Sequence, residues 1–434
     1  MTDALPSLPE SWKETRLDRV ATVNARIGWK ALTAAEYQSD GYAFLATPNI
    51  KRSEIDYTNV NYISEYRYNE SPELMLQVGD VLLAKDGNTL GIANIVRHVP
   101  RATTVNGSIA VLRPFDMEPG FLRYVIQSSF IQGHIQSVKD GMGVPHLFQR
   151  DIKRFPLPSP PRGEQRRIVD FLDAETARID SLAAARERQV HLVTSRLDAL
   201  AKRDTGRIFA QQTAECPDDW EILPLRRIIR KVKTGSTPSE SNPDPWVKEA
   251  NRDAIPWYGP SSFAGLMQLG VAVKHLPRSA ATERMVPLFP AKSVLIVGIG
   301  ATAGKVAYLD HDASGNQQVT ALVPEREVSG KFLAWQLWAA TKELRALAPY
   351  TTLPIINNDF LKSFPVAMPP HDSQLAVAHR LDHAAERLSA LRVAASQAAK
   401  LVQERRQALI TAAVTGQFDV STASGRNVTD GVLT

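Results

Sequence analysis

Apolar residues recur at alternating steps of four and three along two stretches, Arg162 to Lys202 and His371 to Ala413. In the second stretch the seam is Val377, Leu381, Ala384, Leu388, Leu391, Ala395, Ala398, Val402 and Leu409, with Arg405 as its polar member. In the first it is Ile168, Leu172, Ile179, Leu182, Val193, Leu197 and Leu200, with Glu175, Arg186 and Gln189 as polar members. This is coiled-coil spacing, and an offset of 209 residues superposes the two seams without a gap. Each stretch predicts a helix spanning roughly 60 Å. A lone helix of this kind cannot bury its stripe, so each needs a partner: another subunit would serve, but the internal repeat makes pairing of the two the simpler expectation. With the order globule, rod, globule, rod, and each globule packed at the base of its own rod, antiparallel rods are expected to place the globules at opposite ends, with a pseudo-two-fold axis across the rods. Glu175, Arg186 and Gln189 match Ala384, Ala395 and Ala398 in the repeat and are expected to face them, fixing register.

Outside the rods the period changes. Trp12 to about Gly143 alternates short β-branched and aromatic runs, such as Asn59 to Ile63, with turn residues. Asp80-Val81-Leu82-Leu83-Ala84 reads as a buried strand, and Ile109 to Arg113 as a second strand ending at Pro114. Phe121, Leu122, Val125, Ile126, Phe130 and Ile131 follow on a helical pattern. The same order returns as Ser293 to Val297, then Asn316, Val319, Ala321 and Pro324 where Asn106, Ile109, Val111 and Pro114 stand in the first copy, then Phe332 to Leu337. Openings repeat as Pro9-Glu10-Ser11-Trp12 and Pro217-Asp218-Asp219-Trp220. Endings repeat as Val144-Pro145 to Phe155-Pro156…Pro160-Pro161 and Leu353-Pro354 to Phe364-Pro365…Pro369-Pro370. The fold class is α+β, with one architecture present twice. Thr205-Gly206 and Thr415-Gly416 supply C-cap glycines for the rods. The Ser-, Thr-, Gly- and Asn-rich residues after about Val420 read as a disordered tail.

Bulk composition narrows this picture little. The chain has 434 residues, 44% hydrophobic and 22% charged, with a net charge of +5. That excess permits a nucleic-acid partner without requiring one. The single cysteine, Cys216, excludes an internal disulfide and a thiol zinc site. Met-Thr-Asp-Ala-Leu-Pro at the start lacks signal-peptide character, and no apolar run approaches the roughly 18 residues of a membrane span. A cytoplasmic protein without membrane association is expected.

Apparent catalytic and metal motifs dissolve on inspection. Gly298-Ile299-Gly300-Ala301-Thr302-Ala303-Gly304 follows a strand, but its G-x-G-x-x-x-G spacing misses the dinucleotide fingerprint. Gly304-Lys305 is followed by Val306, where a phosphate loop needs Ser or Thr. Asn242-Pro243-Asp244-Pro245-Trp246 is close to an amino-methyltransferase motif, broken by Asp244, and reads as a turn. His379 and His383 lie four apart, as zinc ligands would, yet Arg380 stands where a zinc-peptidase helix has glutamate. No metal ligand and no catalytic residue is assigned.

Polar, Gly- and Pro-punctuated loops remain as candidate DNA-binding surfaces. In the first globule they carry Lys51, Arg52, Lys85, Asn88 and Thr89, and in the second Lys233, Ser236, Thr237, Ser261 and Ser262. To these the Gly298–Gly304 loop adds Thr302 and Lys305. Such side chains suit phosphate positioning and base-edge hydrogen bonding.

The arrangement resembles the specificity subunit of type I DNA restriction–modification systems, from about Trp12 to Val420. The residues carrying it are the two Pro-x-x-Trp openings, Gly300-Ala301-Thr302-Ala303-Gly304-Lys305-Val306-Ala307, and Asn316-Gln317-Gln318 before a strand. Others are Pro160-Pro161…Glu164-Gln165…Ile168…Leu172-Asp173 and Thr415-Gly416-Gln417-Phe418-Asp419. Two departures are Ser373 in place of the glutamate before Gln374, and no Lys after Gly91. The resemblance implies target-recognition domains at residues 1–161 and 205–370, spacer helices at 162–204 and 371–416, and a tail at 417–434. Each recognition domain would read one half of a bipartite, asymmetric site in double-stranded DNA. The rods, through Ile168, Leu172, Ile179, Leu182, Val193, Val377, Leu381, Leu388, Leu391 and Val402, would form the spacer and dock two modification subunits. Those subunits would bind S-adenosylmethionine and methylate adenine. Restriction subunits, using ATP and Mg, would translocate and cut DNA, and this chain would be non-catalytic. Other readings are a specificity subunit of a non-translocating methyltransferase–nuclease, a self-contained methyltransferase, and a coiled-coil scaffold for proteins.

Overall fold

A computed structural model describes residues 5–25, 32–51, 53–140, 145–211, 215–238, 246–247, 253–348 and 354–422. Arg52, Val144, Leu353, most of the Asn242 to Trp246 motif and the tail from 423 lie outside the described residues. The chain divides into two compact units, one of Met1–Ala185 with Gln397–Thr434 and one of Arg186–Ser396. The division cuts through both long helices, Arg162–Asp204 and His371–Val414, so each unit holds one globule and half of each helix.

In the first unit, Lys13–Arg16 pairs antiparallel with Pro156–Ser159, joining the two ends of the globule. A four-stranded antiparallel sheet follows the order Ala21–Asn24, Ile109–Pro114, Val81–Ala84, Ala93–Ile95. A second sheet centres on Tyr42–Leu45, antiparallel to Asn61–Ile63 and parallel to Thr103–Val105. Val81–Ala84 is apolar throughout because each face meets a core. Val81 and Leu83 enter the core with helix Pro119–Gln127, while Leu82 enters the core with Leu45 and Val105.

The second unit repeats the topology. Glu221–Pro224 pairs with Pro365–Met368. The four-stranded sheet runs Ile229–Thr234, Val319–Pro324, Val294–Val297, Val306–Tyr308. The three-stranded sheet centres on Ala254–Tyr258, between Lys274–Pro277 and Ser314–Gly315. Val294 and Ile296 face one core, Leu295 and Val297 the other. A hairpin, Phe263–Gly265 with Gln268–Leu269, has no counterpart among the described strands of the first unit.

The long helices run antiparallel within each unit. In the first, Ile168, Leu172 and Ile179 share a core with Leu409, Ile410, Ala413 and Val414, and Arg406 Nε lies 3.6 Å from Asp180 Oδ1. In the second, Leu197 and Ala201 share a core with Val377, Leu381, Ala385 and Leu388. There Arg380 Nη2 donates to Asp204 Oδ2 at 3.1 Å, and Arg392 Nη2 to Thr194 Oγ1 at 3.3 Å.

Two sequence expectations need correction. The seam of the first helix slips by one residue past Ile179. Leu182 is 58% exposed and Gln189 is exposed, while Ala183 and Val190 are half-buried in their place. An undistorted helix drifts about 20° per heptad against a strict seven-residue repeat, which produces such a slip. In addition, Glu175 and Ala384, which the repeat matches, fall in different units, because antiparallel pairing joins the start of one helix to the end of the other. Glu175 pairs with Arg178 at 3.9 Å in the first unit, whereas Ala384 packs on the core of the second. Arg186 donates to Gln189 at 3.0 Å, both being exposed.

Candidate nucleic-acid interface

In the second globule, Ile229–Thr234 ends at Gly235, where a β-carbon would overlap the carbonyls of Gly315 and Asn316. This close approach brings the strand end beside the Asn316-Gln317-Gln318 turn. Thr237 Oγ1 donates to Gln317 Oε1 at 2.8 Å. Asn316 Oδ1 accepts the Gln318 amide at 3.0 Å and its Nδ2 donates to Gln318 Oε1 at 3.2 Å. Asn358, at the start of helix Asn358–Ser363, donates to Thr234 Oγ1 at 3.1 Å. The product is a cluster of amides and hydroxyls at one end of the sheet, with Thr234, Thr237 and Gln317 exposed. Amides can donate and accept toward base edges.

Of the predicted residues, Thr237 belongs to this cluster, and Ser236 borders it, its carbonyl accepting Trp257 Nε1 at 3.0 Å. Lys233 is half-buried and points Nζ at the Leu288 carbonyl, 2.6 Å away. Burial, then the charges of Lys231 and Arg230, lower its pKa from the ordinary lysine value. Ser261 is exposed. Ser262 is buried, and its hydroxyl has no hydrogen-bond partner among the described residues. Thr302 and Lys305 lie in the tight turn between Val294–Val297 and Val306–Tyr308. Gly304 holds that turn at φ +85°, its carbonyl accepting Thr341 Oγ1 at 3.0 Å. Lys305 is exposed and reaches the Phe263 carbonyl at 3.3 Å, beside Asp198, Trp338 and Thr341, away from the amide cluster.

The corresponding turn of the first globule has different chemistry. Lys85 is only 8% exposed and ion-paired to Asp86 at 3.2 Å, so it is not a free cation on the surface. Asp86 also accepts from His146, whose ring meets Phe148 edge-on, with Arg150 stacked 4.8 Å over that phenyl. Asn88 is exposed, and Thr89 donates weakly to the Asp86 carbonyl at 3.5 Å. Lys51 is exposed but ion-paired to Asp56 at 2.7 Å, which raises its pKa. Neither Asp86–His146 nor Asn358–Thr234 was predicted, because each joins residues far apart in sequence. The only local signals were Pro145 before His146 and Ile356 before two asparagines.

His379 and His383 are both exposed, with Nε2 atoms 3.2 Å apart and Glu386 on His383 Nδ1 at 3.2 Å. Among the described residues no group of three His, Cys, Asp or Glu is placed to hold a metal ion. Among them, too, no helix is long and apolar enough to cross a membrane.

The family model for the type I restriction modification DNA specificity domain matches residues 9–191 and again 217–392. The chain belongs to that family. A type I specificity chain takes part in DNA sequence recognition, and here both domain matches extend into the long helices. The chain is 22% identical over 391 residues to a putative type I restriction enzyme MjaX specificity subunit of Methanocaldococcus jannaschii, covering 86% of this chain and 87% of that protein. It is 24% identical over 185 residues to the EcoKI specificity subunit of Escherichia coli, covering 42% and 39%. Its fold is similar to that of a chain solved in work on assembly and conformational transition of the type I system, with TM-score 0.71, 18% identity, and coverage of 95% and 100%. The HsdS subunit of Thermoanaerobacter tengcongensis is also similar, with TM-score 0.51, 18% identity, and coverage of 96% and 100%.

Proposed function

We propose that this specificity chain is a two-headed DNA reader in which each globule recognises one half of a bipartite, asymmetric site. The observation that carries this is one topology presenting two unlike loop sets: amides and hydroxyls around Gln317 in one globule, Asp86, His146 and Arg150 in the other. Equal scaffolds with unequal reading surfaces suit a site whose halves differ. The long helices serve as the spacer that sets the unread gap and as the platform for two modification subunits.

In this reading the chain does no chemistry itself. S-adenosylmethionine belongs to the modification subunits, and ATP with Mg to the restriction subunits, in the cytoplasm. Lys51, Arg52, Asn88, Thr89, Ser236, Thr237, Ser261, Thr302 and Lys305 remain candidates for DNA contact, joined by Thr234, Gln317 and Asn358. The test is a methylome map of cells expressing the chain with its modification subunits. Methylation at one bipartite sequence with a fixed gap is the expected result. Footprints that show no DNA dependence, with or without those subunits, favour a protein-binding scaffold and overturn it.

A further inference from the structure

Each globule is fastened to a long helix by the same two polar devices, at positions 209 residues apart. The first is a buried glutamine in the first turns of the helix. Gln165 accepts the Glu118 backbone N–H at 2.8 Å through Oε1 and donates to the Pro160 carbonyl at 2.8 Å. Gln374 accepts the Ser329 backbone N–H at 2.9 Å and donates to the Pro369 carbonyl at 3.0 Å. Glu118 and Ser329 are the N-cap residues of the globule helices Pro119–Gln127 and Gly330–Ala339. Each amide therefore ties the start of a globule helix to the start of a long helix.

The second device is an aspartate eight residues further along. Asp173 Oδ1 accepts Arg123 Nη2 at 2.5 Å and the Tyr124 hydroxyl at 2.6 Å, while Oδ2 accepts Arg97 at 3.2 Å. Asp382 Oδ2 accepts Lys331 Nζ at 2.7 Å, and its Oδ1 accepts Trp335 Nε1 at 2.8 Å. Tyr124 and Trp335 each stand six residues after their helix N-cap. A phenol in one unit and an indole in the other reach the same carboxylate, so the donor's identity has changed while the contact persists.

Apolar packing between helices is non-directional and tolerates small rotations. Two hydrogen-bonded anchors, spaced along both helices, define a single angle and leave few alternatives, because an unmet buried amide is costly and the half-buried carboxylate adds directional contacts. We propose that Gln165 with Asp173, and Gln374 with Asp382, are positioning residues that hold each reading head at one angle on its spacer helix. They thereby keep the gap in the DNA site to a single length. The second half of this inference rests on the two-headed spacer reading; the first half does not.

Two measurements separate them. In chains with Cys216→Ser, spin labels at the exposed positions Thr282 and Ala390 report the second globule against its helix. Gln374→Ala is expected to broaden the distance distribution by about twofold, since a freed contact opens local motion. If that variant does not fold, Asp382→Asn, equal in size, takes its place. An unchanged distribution in the folded variant overturns the proposal. In the methylome assay, Gln374→Ala and Gln165→Ala are expected to keep both half-site sequences and raise methylation at gaps one base pair longer or shorter by about fivefold. A single parental gap, with only the overall level reduced, reveals a merely structural role and overturns the gap assignment. A wild-type complex with no bipartite site would instead sink the two-headed reading, leaving the spin-label result to judge the anchors.

Discussion

Gly206 closes the first long helix directly against the indole of Trp220: a β-carbon there would lie 2.8 Å from Cε3 and 2.9 Å from the Ala367 methyl. Its φ of +69° is left-handed as well. Gly206→Ala therefore adds a steric clash to backbone strain, together about 2–4 kcal/mol of lost stability. Urea denaturation should show the loss in the second unit. Gly416, at φ +72° and 2.5 Å from the Pro9 side chain by the same measure, predicts a matching loss in the first.

Asp173 gives the first unit an acid-sensitive joint. Burial favours its neutral form, but Tyr124, Arg123 and Arg97 together outweigh burial and hold its pKa below the ordinary 3.8. A lowered folded-state pKa contributes stability above the unfolded value, lost as pH falls through the folded one. Asp173→Asn should thus be less stable than wild type at pH 7, with the difference shrinking as pH drops below about 4. The carboxylate is 35% exposed, so solvent trims the effect. Unfolding midpoints between pH 3 and 7 check the sign, on the scale of ordinary carboxylate titration.

Lys305 and Gln317 separate two kinds of contact. Lys305→Ala should weaken DNA binding by the assembled complex evenly across sequences and reduce the salt dependence by about one phosphate. Gln317→Ala should leave the salt slope intact and relax base preference in one half-site. Binding titrations at several salt concentrations distinguish the outcomes.

Insertion of one heptad into both long helices adds about 10 Å. That corresponds to roughly three base pairs of duplex. Methylome mapping should return the same half-sites separated by a gap longer by that amount. An unchanged gap would show that the helices are not the ruler.

The repeat, both long helices and the central strands are legible because their signals are local: apolar period, X-Pro breaks and the Thr-Gly caps. Gln165 and Asp173 were legible as motif letters only. Their partners, Glu118 and Tyr124, lie some fifty residues away, and no pattern along the chain announces such a pairing. Lys85 misled for a related reason: a lysine in a Gly-punctuated loop looks solvated until Asp86 and the strand beneath it are seen to bury it. Leu182 misled through a fractional-period error that accumulates with helix length.

The division of the chain has a kinetic consequence. The second unit is one unbroken segment, Arg186–Ser396, whereas the first includes both Trp12 and Val414 in a single core. During synthesis the later unit can close first, with all its residues already outside the ribosome. The earlier one must wait, its apolar faces at Ile168 and Leu172 uncovered, for nearly the last helix turns to emerge. Closing so long a loop slows folding more than it weakens the product. The globule made first is thus the one whose core is completed last.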